Sequence, residues 1–423
     1  MHDLDVLLTP EAAAKLARRG YQLDIARLES LREQRKALRR QADELRAQVR
    51  ALGKAGKDAV DKQAHAEHAR AVKEQVRETE AALDELEAAL RAELLTIPNL
   101  PSDAAPEGLR ESDYQIVRVV GEQQTFDPAE YPDGPKDHVA LGEQLGILDL
   151  GRAVKLSGPR FSFLKGQGAR LERALASFFL DLHTREHGYE EFSVPLIVGA
   201  QTLTGSGQLP KFGEDLFKIA TGEPQYLIPT AEVPLVNYYA GEFLGADALP
   251  IAATAHSSCF RSEAGSYGRD TKGILRQHQF SKVELVRVVL PEHAQAQQEL
   301  MLGHAERCLR ELGLHYRVID LPAGDLGFTA ERTFDIEAWL PSQNAYREIS
   351  SVSSCADFQS RRNGLRVKGK DGERIWPATL NGSALPIGRT VIAILEQFQQ
   401  PDGSVLVPEA LRGFMGADAL RPV

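Results

Sequence analysis

Two runs of residues near the start of the chain follow a seven-residue pattern that a pair of packed helices satisfies. Leu31, Arg35, Leu38, Ala42, Leu45, Val49 and Leu52 alternate steps of four and three, and Val72, Val76, Thr79, Leu83, Leu86 and Leu90 do the same. A mean period of about 3.5 residues is the seam of a coiled coil. Between the runs lies "GKAGKDAVDK", whose Gly53 and Gly56 can break a helix. The pattern predicts one antiparallel helical hairpin over about residues 27–97, with limbs of ~30 residues and ~45 Å at 1.5 Å per residue. "IPNLPSDAAPEG" then ends the second limb with Pro98, Pro101 and Pro106 and reads as a linker. The expected division is an N-terminal domain over 1–106 and a second domain over 107–423.

Charge qualifies this picture. The chain of 423 residues has a formal net charge of -10, which argues against a protein that simply coats nucleic acid but leaves room for a local basic surface. Residues 27–57 supply such a surface: ten Lys/Arg stand against four Asp/Glu, a net of +6. The returning limb is acidic. The hairpin is either a solvated coiled coil or an arm whose basic limb tracks phosphates, and the rest of the chain must decide. A hydrophobic content of 43% and a charged content of 26% are those of globular protein, and the length exceeds what one domain usually holds. Cys259, Cys308 and Cys355 are too widely spaced for a disulfide framework or a CxxC metal site, so a reducing compartment is expected. The N-terminal "MHDLDVLLTPEAAAKLARRG" reads as neither a signal peptide nor a membrane span, which makes the cytoplasm the expected location.

Beyond residue 107 the pattern is mixed. "GARLERALASFFLDLHTREHGY" and "HAQAQQELMLGHAERCLRELG" have helical spacing, and a last helix, "GRTVIAILEQFQQ", is entered directly from "LNGSALPI". Short β-rich runs lie between: "EEFSVPLIV", "QYLIP", "VELVRVVL", "HYRVIDL" and "RTFDIEAWL". Strands interrupted by hairpins predict an α+β fold, an antiparallel sheet with flanking helices.

The chemistry concentrates in "FRSEAGSYGRDTKGILRQHQFSKVE", residues 260–284. Read as strand, loop and strand, it puts Arg261 and Glu263 on one face before the loop, and Phe280 and Glu284 on one face after it. The loop carries Arg269, Lys272 and Arg276, with Gly265, Gly268 and Gly273 to let it bend. A guanidinium can hold a phosphate oxygen, a carboxylate can accept from an amino group, and a ring can stack a base. Together they suit a nucleotide, although the usual phosphate loops, GxxxxGK[ST] and strand-linked GxGxxG, are missing.

This stretch resembles motif 2 of the seryl-tRNA synthetases, a family of class II aminoacyl-tRNA synthetases, over more than twenty consecutive residues. Further segments are similar to that family in the same order. "ARLERALASFFLDLHTREHGYEEFSVPLIV" resembles motif 1, with Pro195 near the dimer interface. "YLIPTAEVPL" resembles the serine-binding segment and "YREISSVSSCADFQSRR" the strand before motif 3. "LNGSALPIGRTVIAILEQFQQPDGSVLVPEALRGFM" resembles motif 3 and its tail, and the N-terminal hairpin resembles the tRNA-binding arm. The family implies a class II catalytic core with an antiparallel coiled-coil arm, in a homodimer. It implies an enzyme that activates L-serine with ATP, releases pyrophosphate, and loads serine on the 3′ end of tRNA(Ser), with tRNA(Sec) as a further acceptor open to such enzymes. Two other readings are a ligase that loads an amino acid on a carrier protein and a non-catalytic tRNA-binding relative. The long arm speaks against the former, and the presence of Arg261, Glu263, Glu284, Glu348 and Arg389 against the latter.

Residue by residue, the resemblance implies that Arg261 contacts the α-phosphate and Glu263 the adenine amino group. Phe280 stacks on the adenine, with Arg389 on its other side and near the γ-phosphate. Ser262, Gln277, Ile349 and Ser350 complete the nucleotide site. Glu348 and Ser351 hold Mg²⁺ with ATP, oxygen donors suited to a hard cation. Thr230, Ala231, Glu232, Arg261, Glu284 and Ser383 bind serine. The reaction needs no side-chain nucleophile, so Cys259 is expected to be a small buried strand residue and His256 and His278 not to be bases. No Cys and His cluster for zinc is visible. Thr329 and Glu331 depart from the smaller or uncharged residues usual in the family.

Overall fold

The computed structural model describes residues 1–56, 60–220, 222–264 and 272–422. Two compact units divide the chain, Met1–Pro98 and Asn99–Val423. In the first, two short helices precede α1 (Ile25–Ala55) and α2 (Lys62–Thr96), which pack along their length. Each starts on an aspartate cap: Asp24 accepts from the Arg27 amide, and Asp61 from those of Gln63 and Ala64. The seven-residue pattern falls on the seam. Leu31, Ala42, Leu45, Val72, Thr79 and Leu90 are buried, and the remaining seam positions are half-buried. Arg35 sits in the seam because Glu87 answers it at 3.0 Å. Gly53 does not break α1. The helix runs on to Ala55 and Gly56 caps it, because a single solvent-facing glycine costs a long packed helix only about 1 kcal/mol.

The second unit is built on an eight-stranded sheet. Its strands are β1 (Gln115–Val120), β2 (Glu190–Glu191), β3 (Ile251–Phe260), β4 (Gln279–Val289), β5 (Tyr316–Asp320), β6 (Arg332–Leu340), β7 (Ala345–Ser354) and β8 (Ala378–Pro386). Their order is β1-β5-β6-β7-β8-β4-β3-β2, antiparallel throughout except where β2 meets β3. This is the expected α+β arrangement. The exposed edge strand β1 has too short a pattern to stand out in the sequence.

Helices α3 (His138–Gln144), α4 (Gln167–Arg185), α5 (Glu232–Val236), α6 (Ala294–Glu311), α7 (Phe358–Asn363) and α8 (Ile387–Gln397) surround it. Leu171, Leu175 and Phe179 of α4, Met301 and Leu309 of α6, and Val391 and Ile394 of α8 share one core with Val283, Leu285 and Val289 of β4. α8 is buried nearly all round, its polar residues Thr390, Glu396 and Gln397 included.

β4 shows how the sheet places the site. It is paired on both sides, with β3 and β8, and its side chains alternate faces. Val283 and Leu285 enter the core, while Phe280, Lys282 and Glu284 lie on the other face. Leu285→Ala should therefore lower unfolding stability by about 2–5 kcal/mol, the cost of a large-to-small change at a fully buried site. Urea denaturation measures it, and a cost under about 1 kcal/mol would show that this core collapses around the gap.

Candidate active site

Arg261 follows directly on β3. Its amide donates to the His278 carbonyl at 2.9 Å, its Nε donates to the Pro229 carbonyl at 3.3 Å, and its guanidinium lies 5.2 Å from the centre of the Phe280 ring. Cation and ring are thus adjacent, as the sequence suggests. The route to Glu263 is different. The strand ends at Phe260, and Glu263 takes a left-handed φ of 52° in the loop beyond, so loop geometry and not a shared strand face places it. Its carboxylate meets Arg276 at 3.2 Å. Ser262 turns aside: its hydroxyl donates to the Glu214 carbonyl and its amide to that of Asp215. Gln277 donates to the Ser162 hydroxyl. Gly265, Gly268 and Arg269 lie outside the described residues.

Across the cleft, Arg389 is in the first turn of α8. It donates to the Leu275 carbonyl at 3.4 Å and to the Glu348 carbonyl at 2.9 Å, and meets the Glu348 carboxylate at 3.3 Å. Of the four consecutive residues singled out on β7, two present side chains here. Ile349 points into the core, and the buried Ser350 hydroxyl donates to the Ser383 carbonyl at 2.6 Å. Ser351 stands opposite Asp335 of β6, a residue the sequence reading missed. Burial, and next the nearby Glu348, hold the Asp335 carboxyl well above the usual carboxylate range, while the Ser351 hydroxyl bonds it. Its Oδ1 is buried without a hydrogen-bond partner.

A second group is more deeply enclosed. Glu284 stands opposite Ser383 on β8, and the Thr230 hydroxyl donates to its Oε2 at 2.6 Å. Lys282, two residues back on the same face, makes an ion pair with it. Thr230 and the fully buried Ala231 lead into α5, whose first residue, Glu232, donates its amide to the Thr230 hydroxyl oxygen at 3.2 Å. Gln359 of α7 donates to the Glu232 carboxyl at 2.7 Å. Lys282 was detectable from the period of two; Gln359, 127 residues from Glu232, carried no such signal. Burial, and next the charge of Glu284, push the Glu232 carboxyl up to about 7.

Members of both groups line adjoining cavities, while Glu284 and Glu232 lie behind their walls. One of about 510 Å³ is bounded by Asp215, Thr230, Arg261, Glu263, Arg276 and Thr329. Another of about 160 Å³ is bounded by Arg261, Phe280, Lys282, Glu348, Ser383 and Arg389. Glu331 instead accepts from the Ser354 hydroxyl at 2.6 Å. Cys259 is buried and its thiol is pushed up by burial, while the His278 ring bonds the Arg261 carbonyl. Pro195 lies elsewhere, on a cleft of about 650 Å³ with Phe192, Val194 and Tyr238. Among the described residues no three His, Cys, Asp or Glu are placed to hold a metal by themselves, and no helix is long and apolar enough to cross a membrane.

An antiparallel sheet with an arginine after one strand and another at the start of the helix that follows the central strands is the frame of a class II aminoacyl-tRNA synthetase. Comparison with known proteins narrows this. Residues 216–398 match the tRNA synthetase class II core domain (G, H, P, S and T), and residues 1–101 match the seryl-tRNA synthetase N-terminal domain. Serine–tRNA ligase 2 of Streptomyces avermitilis is 53% identical, covering 100% of this chain and 99% of the relative. Serine–tRNA ligase of Neisseria gonorrhoeae is 49% identical over 98% of both. The seryl-tRNA synthetase of Pyrococcus horikoshii complexed with ATP superposes with a TM-score of 0.90 at 32% identity, covering 100% of both chains. The cytoplasmic serine–tRNA ligase of Naegleria fowleri in complex with AMP gives 0.86 at 28% identity, covering 100% of this chain and 99% of the other. The chain belongs to the seryl-tRNA synthetase family.

The raised carboxyl of Glu232 has a measurable consequence. Between about pH 4.5 and 7 the folded chain keeps a proton here that the unfolded chain has lost. The stability this group contributes is present below that window and is lost as pH rises through it. Glu232→Gln carries no charge to bury, so its stability relative to the parent should grow across the window, by on the order of 3 kcal/mol at about 1.4 kcal/mol per pH unit. Thermal melts of both chains without substrates test this, and a difference that stays constant with pH would exclude it.

Proposed function

We propose that this protein is a serine–tRNA ligase that couples ATP cleavage to the charging of tRNA(Ser). The observation that carries the reading is the enclosed set Thr230, Glu284 and Ser383, a hydroxyl-and-carboxylate cluster beside a cleft with three arginines, Arg261, Arg276 and Arg389. Such a pocket suits a small amino acid with a hydroxyl. It rejects alanine strongly, because alanine would leave buried polar groups unpaired. Threonine is excluded only by lack of room for its methyl, which is a weaker discrimination.

In the proposed cycle, serine lies with its ammonium toward Glu284 and the Thr230–Ala231–Glu232 turn and its hydroxyl toward Ser383. A serine carboxylate oxygen attacks the α-phosphorus, and the bond to pyrophosphate breaks. The side chains position the reactants and spread charge. Arg261 holds the α-phosphate and Arg389 the γ-phosphate, with Glu263 and Phe280 on the adenine. Ser262, Gln277, Ile349 and Ser350 line the pocket, Ile349 through its main chain. In the second step the terminal hydroxyl of tRNA attacks the adenylate carbonyl and AMP leaves.

Mg²⁺ fits the Glu348–Ser351 corner. A carboxylate and a hydroxyl stand there beside the acid Asp335, whose buried Oδ1 lacks a partner, and a divalent cation would favour the ionised form of that acid. Protein donors this few are usual for Mg²⁺, which takes its remaining oxygens from phosphates and water. Bound there, the ion would screen the phosphate charges that oppose the attack.

The arm over about 27–97 is assigned to tRNA, through the basic limb that carries Lys36, Arg50 and Lys54 exposed on α1. A homodimer through the region of Pro195 completes the assignment. The intact chain, given total tRNA, ATP and Mg²⁺, should charge serine and no other amino acid. A chain lacking residues 30–95 should lose charging yet keep serine-dependent ATP–pyrophosphate exchange. Loss of both activities with the core still folded would refute the separation of arm and core. Arg261→Ala should slow exchange by at least ~2 kcal/mol of transition-state stabilisation, the scale of one charge-stabilising donor. An unchanged exchange rate would reject the phosphate role.

A further inference from the structure

The segment Ile274–Gln277 lines the smaller cavity, yet it only leads into β4 and is not itself paired in the sheet. Something else must hold it. One support is direct: Arg389 of α8 donates to the Leu275 carbonyl at 3.4 Å. Gln277 and Arg276 are also held, by Ser162 and Glu263, and the start of the segment is held through a histidine distant in sequence. Glu396, seven residues after Arg389, is on the same face of α8 two turns on. It is fully buried, and both carboxylate oxygens are occupied. Oε1 accepts from the His138 amide at 3.1 Å and from the His138 ring Nδ1 at 3.0 Å. Oε2 accepts from the Ser342 amide at 3.3 Å and hydroxyl at 2.7 Å.

These contacts dictate the state of the ring. With Nδ1–H given to a carboxylate, Nε2 is the acceptor, and the Ile274 amide donates to it at 3.4 Å. The approach is close: Gly273 has a φ of 66°, and a Cβ there would fall 2.0 Å from His138 Nε2. Asp137, next to His138, pairs with Lys272 on the same side. His138 is 1% exposed and touches neither cavity, so it acts only through the segment it holds.

We propose that His138, oriented by Glu396, is a positioning residue for nucleotide binding, fixing the Ile274–Gln277 wall against the same helix that carries Arg389. The inference rests on the nucleotide reading of the cleft. One helix then sets both the cation that meets the phosphates and the wall beside it. Loss of the histidine would loosen the wall while leaving the Thr230–Glu284 pocket intact.

The test is serine-dependent ATP–pyrophosphate exchange with three variants. His138→Ala removes both bonds. His138→Asn reaches only as far as Nδ1 and keeps the Glu396 bond. His138→Gln places an amide oxygen near Nε2 and can still accept from Ile274. The expected result is a KM for ATP raised about five- to tenfold in the Ala and Asn variants, the scale of one lost buried hydrogen bond. The KM for serine should stay within about twofold, and the Gln variant should recover most of the loss. An unchanged KM for ATP, or both KM values rising together with a falling Tm, would make His138 a packing residue and overturn the proposal. Hydrogen exchange on the parent chain is independent of whether the variants fold: the Ile274 amide should be protected before ATP is added, and rapid exchange there overturns the proposal as well. A parent chain with no serine-dependent exchange would instead sink the functional reading itself.

Discussion

The central constraint is the strict alternation of β4 within a sheet paired on both sides. Because each side chain must face either the helices or the cleft, the apolar Val283 and Leu285 and the polar Lys282 and Glu284 are sorted by position alone. A slip of one residue would bury the charges in the core and expose the valines, an error costing many kcal/mol, so register and site are specified together. The pairing with β8 then brings Ser383 opposite Glu284, and the pairing with β3 delivers Arg261 to the Phe280 ring. Glu284 and Ser383, nearly a hundred residues apart in sequence, meet because strand pairing leaves them no other place.

The site concentrates charge that would be unfavourable without compensation. Glu232 and Glu284 are buried near one another with Lys282 as the immediate counter-ion, and Glu348 stands above Asp335. Arg261, Arg276 and Arg389 face the same cleft and are tied for the present to a ring, a carboxylate and main-chain carbonyls. Each of these bonds is replaceable by a phosphate oxygen, and a charge-assisted bond to an anion is stronger than one to a carbonyl. Arg276 and Arg389 also meet the carboxylates of Glu263 and Glu348, so these two cations are held in place by ion pairs, and Arg261 by a ring and a carbonyl.

Much of this was legible in the sequence, and each exception has a physical cause. The hairpin could be read because its seam repeats locally, and the α+β class because helical and strand periods are local too. Arg261, Phe280, Glu284 and Arg389 stood out within quoted stretches, although Arg261 lies just past the end of β3 and not on it. Gly53 misled, since a breaker weighed alone is overruled by a long packed interface. Glu263 reached the cleft by a left-handed turn, which no alternation pattern announces. Ile349 turned into the core because the pairing of β6 with β7 shifts register nearby, between Ile336 and Glu337. Asp335, Gln359, His138 and Glu396 were invisible for a different reason: each matters through a partner far along the chain, and single residues carry no period.

Ionisation in the enclosed pocket bears on how an amino acid could be selected. A carboxyl pushed up to about 7 is near half-protonated at neutral pH, so the free pocket carries less than the full charge of its two acids. On the proposed reading, an incoming ammonium favours the ionised form of Glu232, and an ionised Glu232 favours the ammonium, by the same free energy in each direction. Lys282 limits this coupling by already answering Glu284. Glu232, held by the neutral amide of Gln359, is left as the group whose charge can follow the ligand. A pocket arranged in this way binds a zwitterion more tightly than an uncharged alcohol of the same shape. The hydroxyl alone could not provide that distinction, because water offers an alcohol nearly equal hydrogen bonds.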